Sequence, residues 1–146
     1  STHTTTTSAD PAAAMDVYPT LALLAGASLP RGRVIDGKDI WPLMSGAPGA
    51  TSPHEAFFYI IDNQVLGVRK GQWKYILKHR PISWAFPPKQ APGEVSEALY
   101  DLSNDISEAV NVIDAHPTVV QELKELRRAF IADLAKNSHP AGVVEK

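Results

Sequence analysis

Cysteine is missing altogether from the 146 residues. Without thiols there is no disulfide framework, no thiolate metal site and no cysteine nucleophile. An excess of one charge is missing too. Fourteen basic residues against 16 acidic ones leave a formal net charge of -2, too balanced for the basic face that a nucleic-acid partner demands. No apolar run is long enough to cross a bilayer, no signal-peptide pattern opens the chain, and no Asn-x-Ser/Thr sequon occurs. The compartment stays open, because many exported proteins also lack disulfides. HExxH, a Gly-rich phosphate loop and Gly-x-Ser-x-Gly are all absent. The five histidines are scattered singly: His3 has no second ligand at metal spacing, and His54 and His116 each adjoin a proline at an element boundary.

What is present is organised around Val65 to Lys78, VLGVRKGQWKYILK. It reads as two strands joined by a tight turn at Lys70-Gly71, with Gly71 supplying a positive φ. In the second arm Trp73, Tyr75 and Leu77 share one face, and Gln72, Lys74 and Lys78 fall mostly on the other, the period of a half-buried strand. In the first arm Val65, Leu66 and Val68 are apolar on both faces, and Gly67 leaves room for a close neighbour. Ala56 to Ile61, AFFYII, is a further strand, turned into the hairpin by Asp62-Asn63. Ala98 to Leu102, ALYDL, adds a fourth. From Pro117 a long helix carries Val119, Leu123, Leu126, Phe130 and Leu134, flanked by Val120 and Ile131, in one apolar stripe. Glu122, Lys124, Glu125, Arg127 and Arg128 read as its solvated side, with a Glu125/Arg128 pair.

Upstream, Ser1 to Ser8 is a Thr-rich lead-in too polar to bury a core. Asp16 to Ala25 reads as a short helix: Asp16 as N-cap, Pro19 in the first turn, Gly26 as the stop. It is apolar over so much of its circumference that it needs cover on more than one side. Leu29 to Thr51 is a Pro/Gly connector with a turn at Asp36-Gly37, and Ile40, Leu43 and Met44 are expected to plug a core or an adjacent domain. Asp105 and Glu108 have the spacing of a capping box for a further helical turn. His79 to Ser96, HRPISWAFPPKQAPGEVS, is a long excursion with four prolines and two large aromatics. Loops of this length usually carry function, so His79, Arg80, Trp84 and Phe86 are the candidate rim of a ligand or partner site. The bland alternative is that Trp84 and Phe86 lid the domain's own core.

Four stretches together resemble the C-terminal portion of a sulfatase of the arylsulfatase type, within the alkaline phosphatase-like superfamily. They are MDVYPTLALLAG (Met15 to Gly26), DGKDIWPLMSG (Asp36 to Gly46), VRKGQWKYILK (Val68 to Lys78) and LYDLSNDISEAVNVI (Leu99 to Ile113). The last departs from the family's Asp-Pro-x-Glu, having Asp105-Ile106-Ser107-Glu108. The resemblance implies sulfate-ester hydrolysis by a formylglycine, made from Cys or Ser in Cys/Ser-x-Pro-Ser/Ala-Arg, beside a divalent cation, usually calcium. That motif is absent: Ser8-Ala9-Asp10-Pro11 has its proline one place late and no following arginine. Asp62-Asn63 imitates the family's Asp-Asn metal pair. In the family that pair precedes the helix matching Asp16 to Ala25, whereas here it follows it, and two residues cannot build a hard-cation site needing six or more oxygens. The pair reads as a turn.

The expected architecture is α+β: a small four-stranded antiparallel sheet packed against a C-terminal helix, preceded by a short helix and loop-rich connector that belong to a missing α/β domain. Residues 1–14 are expected as flexible lead-in, 15–52 as the end of the catalytic domain, 53–137 as the C-terminal subdomain and 138–146 as a frayed tail. No catalytic or metal residue is assigned; calcium and formylglycine are implied only for the missing part. The expected partners are that N-terminal catalytic domain and, through exposed apolar surface, further copies of the chain, with neither nucleic acid nor membrane. A periplasmic or secreted setting is compatible with the resemblance. Two other readings stay open: a fragment of a related phosphonate or phosphate monoester hydrolase, and a free-standing binding module that uses the Trp84/Phe86 loop.

Overall fold

Residues 8–32, 34–80 and 93–137 are described by the computed structural model. They fall into two units, Ser1–Glu55 and Ala56–Lys146. Trp84 and Phe86, the lead-in before Ser8 and the expected tail beyond Asn137 lie outside the described residues.

The second unit holds four strands, β1 (Phe57–Ile61), β2 (Gln64–Lys70), β3 (Trp73–Ile76) and β4 (Ala98–Asp101). They pair antiparallel in sequence order. Asp62 and Asn63 take φ of 49° and 61°, the two left-handed residues of a type I′ hairpin turn, for which Asn and Asp are suited. The central hairpin turns one residue later than the sequence suggests. Lys70 pairs with Trp73, so Gly71 and Gln72 form the loop. Gly71 alone has a positive φ, 55°, which places glycine at the first loop position of a type II′ turn. Gly67 pairs with Ile76, and a Cβ there would come within 2.9 Å of the Ile76 side chain and 3.2 Å of Tyr59. Both therefore close over bare backbone.

Strand alternation sends Phe58, Val68, Trp73, Tyr75, Leu77 and Leu99 to one face, as expected of the hairpin. Helix α3 (Pro117–Asn137) covers that face. Val68, Tyr75, Leu99, Val120 and Leu123 form the buried core, with Trp73, Leu77, Val119 and Leu126 packed around it. Phe58 and Phe130 stack with ring centroids 3.9 Å apart. Trp73 lies 4.7 Å from the His116 ring at the helix entrance. The apolar stripe of α3 outlasts the sheet: Leu134 and Ile131 in its last turns are exposed.

Instead of the helical turn expected at Asp105, an irregular stretch covers the free edge of β4. Asn111 Oδ1 accepts the Leu99 N–H at 2.9 Å, its Nδ2 donates to the Glu97 carbonyl, and the Val112 N–H donates to the Leu99 carbonyl. The Asn111 side chain and the Val112 N–H together thus supply the pairing that a fifth strand would have given. Glu108 sits at φ 56°, and its carboxylate meets Lys74 Nζ at 2.5 Å. The capping-box spacing serves a cross-element ion pair.

In the first unit a 3-10 turn at Ala14–Asp16 runs into α1 (Val17–Leu24). A single turn, α2 (Trp41–Met44), interrupts the expected connector. Ile40 is buried as expected, whereas Met44 is exposed within its own unit. Gly37 earns its place by close approach and not by a turn: a Cβ there would lie 2.0 Å from the Met15 carbonyl oxygen.

Candidate functional site

The long excursion leaves the sheet at a pinned neck. His79 and Val95 exchange both backbone hydrogen bonds, at 3.1 and 2.9 Å. Lys78 Nζ lies 2.9 Å from Glu94 Oε2 across the same neck, a contact that holds the lysine above its ordinary pKa. His79 Nδ1 is 2.8 Å from the Leu77 carbonyl. A carbonyl can only accept, so Nδ1 carries the proton there. Of the four candidate rim residues, the structure thus puts His79 half-buried in the neck and Arg80 exposed just beyond it.

Leu77 also lines a cleft between β3 and α3, with a volume of about 160 Å³, whose other walls are Tyr75, Lys124, Arg127 and Arg128. Beneath it the Tyr75 hydroxyl donates to Glu97 Oε1, and Lys124 Nζ lies 2.7 Å from the same carboxylate. Lys124, then Tyr75, hold Glu97 below the usual carboxylate range. Burial, then Glu97, push the Tyr75 phenol well above its ordinary value. Arg128 pairs with Glu125, as the spacing suggests. Arg127, read as part of the solvated face, instead donates its Nε–H to the Val65 carbonyl at 2.7 Å. Its position four residues after buried Leu123 was the signal available for this, since i and i+4 share a helix face.

The first unit has a buried polar centre that no motif marks. The Asp16 side chain is fully buried and makes no cap bond to α1. Its carboxylate accepts the N–H groups of Ala13 and Lys38, both at 2.8 Å, and faces His54 Nε2 at 2.6 Å. Burial alone would raise the Asp16 pKa, but the Lys38 and Ala13 N–H groups and then His54 outweigh it, so the net displacement is downward. Thr20, also buried, donates to the Asp16 carbonyl at 2.7 Å and accepts the Ile40 N–H at 3.0 Å. Asp16 and His54 are 38 positions apart, too far for local spacing to link them.

Among the described residues no three His, Cys, Asp or Glu side chains gather where they could hold a metal ion. Asp62 and Asn63 are occupied as hairpin turn residues. Also among the described residues, no helix is long and apolar enough to cross a membrane. The geometry offers a cationic surface that can hold an anion and a scaffold that fixes the neck of a loop.

No protein-family model matches the chain. Among curated proteins it is 40% identical to mouse steryl-sulfatase over 84 residues, 58% of this chain and 13% of that protein. It is 34% identical to bovine arylsulfatase A over 131 residues, 79% of this chain and 25% of that protein. A solved structure described with the metabolism of multiple glycosaminoglycans by Bacteroides thetaiotaomicron superimposes with a TM-score of 0.61 at 30% identity. It covers 79% of this chain and 24% of that one. The chain spans a quarter or less of the length of these relatives.

Proposed function

Because the chain is a C-terminal sulfatase portion, we propose that the protein it comes from hydrolyses sulfate esters and that this portion completes the fold and one wall of the substrate cleft. The observation that carries this is the extent of the likeness to arylsulfatase A. A match over 79% of the chain is longer than either structural unit, so it extends into both. On this reading residues 15–52 close the α/β catalytic domain and 53–137 are the C-terminal subdomain. The division after Glu55 supports that.

Formylglycine and calcium would supply the nucleophile and the sulfate-polarising charge. The residues here do not fit that group: the sequence has neither cysteine nor the maturation motif, and no three-donor cluster lies among the described residues. Both therefore belong to the catalytic part, which is also the proposed partner of this portion. His79 and Arg80, with Trp84 and Phe86 beyond them, are proposed as the cleft rim. The pinned neck supports this by fixing where that loop starts and ends.

The chain purified alone is expected to release no product from an aryl sulfate, with or without calcium. The protein extended upstream through its nucleophile motif should turn over the aryl sulfate faster than an aryl phosphonate. Turnover by the isolated chain would overturn the reading, and a preference for the phosphonate would move it to the related hydrolases.

A further inference from the structure

We propose that the cleft between β3 and α3 is an oxyanion-binding site, taking a monoanionic sulfate ester or carboxylate on the guanidinium of Arg127. Three cations line the cleft, Lys124, Arg127 and Arg128. Glu97 answers Lys124 and Glu125 answers Arg128. Arg127 is bonded only to a neutral carbonyl, that of Val65, so one positive charge on the cleft has no anionic partner among the described residues.

A guanidinium has five N–H donors in a rigid plane. Arg127 spends the one on Nε, which fixes that plane against the backbone of β2. The four donors on its terminal nitrogens remain, and they match two oxygens of a carboxylate or sulfate in a fork that lysine cannot form. Because the side chain is already anchored, less rotamer freedom is lost on binding.

The 160 Å³ cleft holds about five waters at roughly 30 Å³ each, room for one small oxyanion and part of its hydration. Leu77 and the Tyr75 ring offer apolar walls for whatever bears the anion. The Tyr75 hydroxyl is already committed to Glu97 and is not a further donor. With one uncompensated charge, the site favours a monoanion over a dianion.

The test is binding to the full chain, read without turnover, so its failure and the failure of the sulfatase reading are separate results. Methyl sulfate and acetate are titrated into the millimolar range at constant ionic strength while the Arg127 side-chain Nε–H and the Leu77 and Lys124 amides are followed by NMR. Saturable shifts are expected at these groups, with either anion competing against the other. Arg127→Lys keeps the charge but removes the fork, and should weaken binding about tenfold. Glu125→Gln, a solvent-side change that leaves the core alone, frees Arg128 and should tighten binding by about two- to threefold. Shifts that chloride reproduces, shifts that never saturate, or an unchanged affinity in Glu125→Gln would each overturn the site. Should Arg127→Lys fail to fold, the Glu125→Gln result decides alone.

Discussion

Asp16 shows how one side chain can organise a stretch poor in regular structure. Three donors from residues 13, 38 and 54 converge on its two oxygens, so it fastens the entrance of α1 to the middle of the connector and to the segment just beyond the connector's end. Its depressed pKa is a statement about stability. The folded carboxyl titrates below the value of about 3.9 for a free aspartate. Its contribution is therefore complete above that pH and is lost as the pH falls through the folded value. Hydrogen exchange at the Lys38 amide should accelerate, relative to its intrinsic rate, as the pH drops below the free-aspartate value of about 3.9. Asp16→Asn offers one oxygen where three donors converge and should cost about 1–3 kcal/mol while flattening this pH dependence. An identical pH profile in wild type and variant would remove Asp16 from the account.

At the scale of elements, the sheet is held at its two sides by different means. α3 covers one face through Val120 and Leu123, while β4 has its outer edge paired by Asn111. Asn111→Ala would leave the N–H of Leu99 without its acceptor at a fully buried position, a loss of about 1–3 kcal/mol. Denaturant unfolding followed by Trp73 fluorescence measures it, and exchange at the Leu99 amide should rise with it. Asn111→Asp keeps an acceptor but loses the donor to Glu97, so an intermediate effect is expected. A variant as stable as wild type would mean the edge is held elsewhere. The strands themselves were legible because period-2 alternation survives wherever one face is buried, as in Trp73, Tyr75 and Leu77. Their turns were legible from Asp62-Asn63 and Gly71, apart from a one-residue offset that spacing cannot resolve. The role of Asn111 was not legible. Its partners, at 97 and 99, are reached through an irregular loop with no period, and the spacing of Asp105 and Glu108 pointed to a helix instead. The same limit hid the Asp16–His54 contact. Arg127 was within reach, but a charged residue on a helix reads by default as solvated.

For the whole molecule, the unit containing α1 is under-covered. Met15 in the 3-10 turn and Val17, Tyr18, Leu21, Leu23 and Leu24 of α1 are each 44–56% exposed, and the helix is apolar nearly all round. A solvated helix normally keeps a polar face, and contiguous apolar surface on a soluble chain marks a contact site or an aggregation liability. We propose that in the longer protein the catalytic domain covers this surface, which leaves the isolated chain to cover it with copies of itself. Sedimentation velocity should therefore show association that grows with concentration, together with binding of a hydrophobic dye. Leu21→Lys and Leu24→Lys, at positions where nothing of the core is lost, should shift the population toward monomer. In the upstream-extended protein the same substitutions should instead destabilise, because a lysine would then be buried without a partner. This opposite response separates a true interdomain surface from mere stickiness. A monomer at high concentration, or substitutions equally harmless in both forms, would show that α1 needs no cover.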